Sequence, residues 1–154
     1  MTIDWPNVVL GFILGVLGHM GILKFEERRQ KHKRIADLNK TYGYLPGTYA
    51  NYRVKDGTEE PTGGRIKIVQ LADGSFEAKG LHANGVMEWS SEIKMSLEWK
   101  GTGTGRYKYG GRPELYGTQQ ITYIQETRSL DVLSTNTTSG NTSVFIHHWK
   151  RIEE

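Results

Sequence analysis

An uncharged apolar stretch near the amino terminus limits what the first part of this chain can form. Residues 8–23 carry no formal charge, and with Trp5 and Phe25 as flanks the segment is 21 residues long. About 20 apolar residues are needed to cross a hydrocarbon core roughly 30 Å thick. We therefore expect a transmembrane anchor over residues 1–25.

The charges around this stretch predict its orientation. No Lys or Arg precedes it, whereas six follow within residues 24–34. Because positive residues flank membrane helices on the cytoplasmic side, we expect a single-pass protein of the inner membrane, with its amino terminus outside and its carboxyl-terminal domain in the cytoplasm. A signal peptide would instead carry its basic residues ahead of the apolar core and end at a small-residue cleavage site.

Small residues occupy one stripe of the expected anchor. Gly11, Gly15 and Gly18 recur at helical spacing, and His19 lies beside them. In lipid, small residues let helix backbones approach each other, although glycines are also tolerated in any membrane helix. An ionisable group at membrane depth either reaches towards the interface or faces a partner. We expect a homo-oligomer with these four residues as helix-association positions.

The positive charge of the chain belongs to its first segment. Residues 1–42 hold seven Lys or Arg against four acids, whereas residues 43–154 hold thirteen of each. We expect a basic juxtamembrane helix over residues 26–42, and the neutral remainder argues against binding of DNA or long RNA. The chain has no Cys, which excludes disulfides and Cys-based zinc sites.

From Gly47 onward the helical period gives way to strand patterns. Residues 87–99 alternate between apolar and polar without a slip, which indicates a half-buried strand. Asp-Gly and Asn-Gly dipeptides at 73–74 and 84–85 are strong hairpin signals. Strands are expected at 48–54, 65–71, 75–83, 87–99, 106–109, 118–125, 130–134 and 142–151, with polar loops at 55–64 and 135–143.

These patterns predict the fold class. We expect a single N-terminal transmembrane α-helix followed by an all-β cytoplasmic domain, an antiparallel meander that forms a small barrel or a strongly bent sheet. A β-sandwich is the alternative. The domains are then a transmembrane anchor (1–25), a basic juxtamembrane helix (26–42) and a β-rich ligand-binding domain (43–154).

Motifs of catalysis and metal binding are not found in the sequence. It contains no phosphate-binding Gly-x-x-x-x-Gly-Lys loop, no nucleophile elbow and no His-x-x-x-His with a nearby acid. His147 and His148 are adjacent on an expected strand, so they point to opposite faces and do not share a metal. We predict that the protein is not an enzyme and has no catalytic residues, metal or cofactor.

A glycine-rich stretch from Trp99 to Glu114 carries the strongest ligand-binding pattern. Its five glycines let the backbone approach a ligand closely. Arg106 and Lys108 can pair with phosphate, and Tyr107 and Tyr109 offer faces on which bases stack. A glycine-bent barrel corner with a solvated face is the alternative. The candidate ligand-binding residues are Lys100, Arg106, Tyr107, Lys108, Tyr109 and Arg112, joined by His82 and Asn84 if the hairpin at 84–85 folds towards them.

One amino-terminal anchor, a basic helix and a β-rich domain resemble the plan of the small membrane effectors of type III CRISPR antiphage systems, which are controlled by cyclic oligoadenylate. The plan is also similar to that of β-barrel membrane effectors of cyclic-oligonucleotide antiphage systems, although those carry two membrane helices. The resemblance implies a tetramer-like assembly that binds cyclic tetra-adenylate, rearranges its membrane helices and disrupts the membrane. A membrane-tethered protein-binding adaptor without a nucleotide ligand is the alternative.

Overall fold

A computed structural model of the chain describes residues 5–82, 87–138 and 141–152, and within the first helix it describes the side chains from Val16 onward. One helix precedes eight strands. These are α1 (Trp5–Tyr42), β1 (Gly47–Lys55), β2 (Thr58–Gln70), β3 (Phe76–Leu81), β4 (Met87–Met95), β5 (Thr102–Tyr109), β6 (Arg112–Ile124), β7 (Ser129–Thr138) and β8 (Asn141–Arg151).

The helix α1 is continuous over 38 residues. An 18-residue window that starts at Val16 already contains Lys24, Glu26 and Glu27, and a charged side chain at the centre of a membrane helix costs roughly 3 kcal/mol. In the part of the chain that the structure describes, no helix is both long enough and apolar enough to cross a bilayer. The predicted fold class, in which this helix is a transmembrane helix, is therefore wrong in that part.

The eight strands form a closed antiparallel barrel. Each strand pairs with its neighbour in sequence, and β8 pairs back with β1. Closure leaves no edge strand with unpaired backbone groups. The predicted barrel is therefore confirmed, and the alternative of a sandwich is wrong.

The turn between β1 and β2 contains only two residues. Asp56 and Gly57 have φ angles of 50° and 77°, as a two-residue hairpin turn with positive φ requires. Because β2 begins at Thr58, the predicted loop over 55–64 is wrong. The Asp-Gly signal was present in the sequence, but Pro and Gly residues after it concealed the strand.

The other predicted loop also differs from the structure. The predicted loop over 135–143 is mostly strand, because β7 extends to Thr138 and β8 begins at Asn141. Its Thr and Asn side chains suit a hairpin that is exposed to solvent on one face.

The strand predicted over 87–99 is shorter in the structure. β4 ends at Met95, and the chain then turns: the Ser96 hydroxyl accepts a hydrogen bond from the Trp99 N–H at 2.9 Å. The Thr102 N–H donates to the Trp99 carbonyl at 3.0 Å. These local bonds reverse the chain although the alternation continues in the sequence.

One end of the barrel, which we call the closed end, is filled by the last turn of α1 and the segment after it. Tyr42 is fully buried, and its hydroxyl donates to the Ser96 carbonyl and accepts from the Gly101 N–H at 3.1 Å. The Tyr49 hydroxyl donates to the Leu45 carbonyl at 2.8 Å. The last turn of α1 thus belongs to the same compact unit as the barrel.

The barrel core consists of inward side chains that recur at every second position, as a pleated strand dictates. On β3 and β4 this alternation is strict. Besides the closed-end residues, the buried apolar side chains are Ile66, Ile68, Phe76, Ala78, Trp89, Ile93, Met95, Tyr107, Ile121, Leu130, Val132 and Trp149.

Candidate ligand-binding cavity

A cavity of about 490 Å³ lies at the end of the barrel away from the closed end. All eight strands contribute to its lining, among them the carboxyl ends of β3 and β5 and the amino end of β4. Its volume falls within the range of small-molecule sites, and the mouth of a barrel is a common place for one. We call it the mouth cavity.

Four aromatic side chains form one wall of the mouth cavity. The ring centroids of Trp89 and Trp149 are 5.8 Å apart, those of Trp89 and Tyr107 are 6.2 Å apart, and those of Tyr107 and Tyr109 are 5.8 Å apart. The rings of Trp89 and Tyr107, and those of Tyr107 and Tyr109, meet edge to face, an arrangement that the quadrupoles of aromatic rings favour. We call these four residues the aromatic wall.

Two glycines make room for this wall. A Cβ added at Gly80 would lie 2.1 Å from the indole Nε1 of Trp89, and a Cβ at Gly117 would lie 2.6 Å from the ring of Tyr107. The Tyr107 hydroxyl also donates to the Thr135 carbonyl at 2.8 Å. The missing side chains therefore set the positions of both rings.

Three polar side chains that line the mouth cavity have an atom without a hydrogen-bond partner. These atoms are the Oδ1 of Asn51, the Oε1 of Gln119 and the Nδ1 of His147. Gln119 is only 4% exposed. Because most buried polar atoms are hydrogen-bonded, three unpaired atoms at one cavity indicate a place where a bound molecule supplies the partners.

Positive charge lies at the open rim. Arg53 and Arg65 both line the cavity and are exposed, and the Arg53 guanidinium lies 4.7 Å from the centre of the Phe145 ring. His82 follows Leu81, the β3 partner of Arg65, and its Nδ1 is 3.9 Å from the carboxylate of Glu88. Two guanidinium groups and one carboxylate give the mouth a local positive charge.

Burial changes the acid–base behaviour inside the cavity. Burial, with a smaller contribution from Tyr109, raises the pKa of Tyr107 to about 12. Burial and the charge of Glu88 raise the pKa of Tyr109. Burial and the nearby Arg53 lower the pKa of His147. At neutral pH the two phenols are therefore neutral, and His147 is an uncharged imidazole.

The structure divides the residues of the predicted site. Tyr107, Tyr109 and His82 line the mouth cavity. Arg106 and Lys108 alternate with the tyrosines on β5, and they lie exposed on the outer face of the barrel. The predicted grouping of cations and tyrosines in one site is therefore not observed, although their opposite orientation follows the strand period.

The remaining predicted ligand-binding residues lie elsewhere. Lys100 lines a separate recess at the closed end, where the rings of Tyr44 and Tyr123 are 4.6 Å apart. Arg112 is exposed at the start of β6. Asn84 lies outside the described residues.

The predicted helix-association residues belong to α1. Gly18 and His19 are exposed, and a Cβ at Gly18 would meet nothing within 4 Å. Gly11 and Gly15 precede the described side chains. Association of copies through these residues stays a prediction.

The glycines of the stretch before Tyr107 have a packing role. A Cβ at Gly103 would lie 2.5 Å from the Sδ of Met95, and a Cβ at Gly105 would lie 2.7 Å from the Oγ of Ser91. Both glycines face inward, where side chains from β4 occupy the space. The alternative of a glycine-bent barrel wall therefore describes this stretch better than a loop that approaches a ligand.

Sequence reasoning missed several residues of the mouth cavity. His147 and Trp149 are two residues apart on β8, so the alternation of a strand predicts that both side chains point to the same face. Gln119 likewise lies two residues before the buried Ile121 on β6, so the same alternation predicts that it faces inward. The unpaired state of its oxygen had no sequence signal, because it depends on residues of neighbouring strands.

A charged cluster lies on the outer face, where His148 points away from His147 as predicted. The His148 Nδ1 is 2.6 Å from the Glu59 carboxylate, and its Nε2 is 3.4 Å from that of Asp131. Hydrogen bonds from Lys150 and then from His148 lower the pKa of Glu59. Among the described residues, no group of three or more His, Asp or Glu side chains is placed to hold a metal ion.

The chain matches no protein-family model, and no curated protein matches its sequence. We infer its function from the mouth cavity and the side chains that line it.

Proposed function

We propose that the barrel binds a small ligand of the nucleotide class in the mouth cavity, with a planar base inside and a phosphate at the rim. The observation that carries this proposal is Gln119, whose Oε1 has no hydrogen-bond partner although the residue is 4% exposed and lines an open cavity. An unpaired buried polar group costs about 1–3 kcal/mol, which a bound ligand with a matching donor recovers.

The aromatic wall supports a planar ligand. Trp89 and Tyr107 are both buried, and each still lines the cavity. Stacking of a base on an aromatic side chain is worth about 1–3 kcal/mol and is available to every base. The neutral phenols of the wall also offer hydrogen bonds without placing negative charge beside a phosphate.

The rim supports an anionic group. The segment 43–154 carries equal numbers of acids and bases, so attraction of an anion has to be local. Arg53 and Arg65 provide it, because a guanidinium can hold two phosphate oxygens at once. Because His147 is neutral, it places no charge inside the mouth cavity. The interior therefore suits a neutral base better than a phosphate.

The size of the cavity bears on the expected ligand. About 490 Å³ is in the range that encloses drug-sized molecules, so it supports a ligand of one or two nucleotides. Cyclic tetra-adenylate, which the family resemblance implies, would place only part of itself inside. The expected rearrangement of transmembrane helices depended on the anchor and is not carried into the proposal.

A binding screen with the full-length chain tests the proposal. Thermal unfolding is followed with adenosine monophosphate (AMP), cyclic AMP, a cyclic dinucleotide and cyclic tetra-adenylate, with inorganic phosphate as the control for charge alone. A ligand present at 100 times its Kd stabilises by about 2.7 kcal/mol, which corresponds to a rise in Tm of roughly 5–10 °C. We expect such a rise with at least one nucleotide and none with phosphate.

Paired variants then locate the site by calorimetry. Arg53→Gln with Arg65→Gln should weaken binding by about tenfold or more through the loss of phosphate contacts. Arg106→Gln with Lys108→Gln removes the same number of charges from the outer face and should leave the affinity unchanged. The reverse result would show that the nucleotide binds on the outer face. No response to any nucleotide would favour the alternative of a protein-binding adaptor.

A further inference from the structure

We infer that Gln119 makes the mouth cavity selective for bases that carry an amino group over bases that carry a carbonyl group at the same position. The inference rests on the proposed function, because it concerns which nucleotide the same cavity accepts. It follows from the kind of atom that is left unpaired, rather than from the number of such atoms.

The unpaired amide atoms inside the cavity are acceptors. Both the Oε1 of Gln119 and the Oδ1 of Asn51 lack a partner, and an amide oxygen can accept a hydrogen bond but never donate one. A ligand that satisfies them must present N–H or O–H donors, and among the groups of a base that differ here only an amine donates. The unpaired Nδ1 of His147 does not change this requirement, because a neutral imidazole nitrogen can be donor or acceptor.

A second unpaired oxygen lies near Gln119. Gly105 pairs with Gln119 in the β5–β6 register, and a Cβ at Gly105 would lie 3.3 Å from the Gln119 Oε1 and 2.7 Å from the Oγ of Ser91. The Ser91 hydroxyl oxygen is likewise without a partner. Two unpaired oxygens thus lie close to Gly105 inside the barrel.

The bases differ at the group that would face Gln119. Adenine and cytosine carry an exocyclic amine that donates, whereas hypoxanthine and uracil carry a carbonyl oxygen in its place, which only accepts. A carbonyl against the Gln119 Oε1 would leave two buried acceptors without a donor. The loss corresponds to about a 10- to 100-fold weaker affinity.

An ordered water is the competing explanation. A buried water with two to four polar partners could satisfy Gln119 and Ser91 without any ligand. In that case Gln119 would not distinguish an amine from a carbonyl, since the water could turn to suit either.

Calorimetry with matched nucleotides on the full-length chain separates these explanations. We expect AMP to bind about 10- to 100-fold more tightly than inosine monophosphate, and cytidine monophosphate more tightly than uridine monophosphate. Gln119→Leu keeps the approximate size of the side chain and removes the acceptor, so the ratio within each pair should fall towards one. Gln120→Leu makes the same change at the next residue of β6, which is exposed and does not line the mouth cavity, and it should preserve the ratio.

The possible results distinguish failure of this inference from failure of the proposed function. Equal affinities within both pairs for the native protein would overturn this inference and leave the proposed function standing. No binding of any of the four nucleotides would overturn both. If Gln119→Leu does not fold, Gln119→Met provides a second variant without the acceptor, and the ratios of the native protein already test the inference.

Discussion

Trp89 occupies the space that a side chain at Gly80 would take. The two residues are paired across β3 and β4, and a Cβ at Gly80 would lie 2.1 Å from the indole Nε1. The indole can therefore lie across β3 and form part of the aromatic wall only because residue 80 is glycine. The absence of a Cβ at Gly80 on β3 thus determines where the Trp89 ring of β4 lies and, through it, the shape of the mouth cavity.

Gly80→Ala should displace this indole. Real Cβ contacts are never as short as 2.1 Å, so the ring must rotate, and overpacking of this kind costs about 1–3 kcal/mol. We expect a lower urea midpoint, changed tryptophan fluorescence and weaker nucleotide binding. Gly18→Ala is the control, because its Cβ would meet nothing within 4 Å. Native fluorescence and stability in Gly80→Ala would contradict the described packing.

Gly117→Ala and Gly103→Ala should differ because of what each methyl group would meet. At Gly117 the nearest atom is the Thr135 carbonyl oxygen, 1.8 Å away and fixed in the sheet. At Gly103 it is the Sδ of Met95, 2.5 Å away and at the end of a flexible side chain. Thermal unfolding should show a loss of about 1 kcal/mol for Gly103→Ala and a clearly larger loss for Gly117→Ala. The opposite order would show that the sheet yields more easily than the methionine.

The barrel could be predicted because its signals are local. The Asp73-Gly74 turn is present, with the Gly74 N–H donating to the Leu71 carbonyl at 3.0 Å, and the alternation from residue 87 follows the inward and outward faces of β4 as far as Met95. Each of these features depends on residues within one hairpin. Period-two patterning and turn chemistry are therefore sufficient to predict an antiparallel meander.

The cavity could not be predicted because it depends on register between strands. The pairing of β1 with β2 shifts between Ala50 and Tyr52, and on β2 the consecutive residues Arg65 and Ile66 both line the cavity. Their side chains do alternate, with Arg65 exposed and Ile66 buried, so alternation alone does not say which residues border the cavity. The cations that were visible in sequence, such as Lys108, lie on regular strand and consequently face away from the interior.

Tyr42→Phe tests the closed end of the barrel. The hydroxyl donates to the Ser96 carbonyl and accepts from the Gly101 N–H at 3.1 Å, so its removal leaves two backbone groups without this partner. We expect a loss of about 1–3 kcal/mol in the free energy of unfolding. Tyr116→Phe removes a hydroxyl from a side chain that is 56% exposed and should change it by less than about 0.5 kcal/mol. Equal losses in urea titrations would exclude a specific role for Tyr42.

His147 should make the stability of the barrel depend on pH. Burial and then Arg53 lower its pKa in the folded protein, whereas in the unfolded chain the pKa is near 6.5, the ordinary value for a histidine. Above that pH both states are neutral and the stability is complete. As the pH falls below it, the unfolded chain binds a proton first, and the free energy of unfolding decreases by up to about 1.4 kcal/mol per pH unit until the folded pKa is reached.

Urea midpoints at about pH 7.5 and about pH 5.5 measure this effect. The native protein should lose stability between them, and His147→Gln should lose less because it has no proton to bind at that position. Glu59 does not interfere, because its pKa is lowered from 4.5 and it stays ionised across this window. His32→Gln, which removes an exposed imidazole from α1, is the matched control and should retain the native pH dependence. If His147→Gln loses as much stability as the native protein, the imidazole is not held neutral by its burial in the mouth cavity.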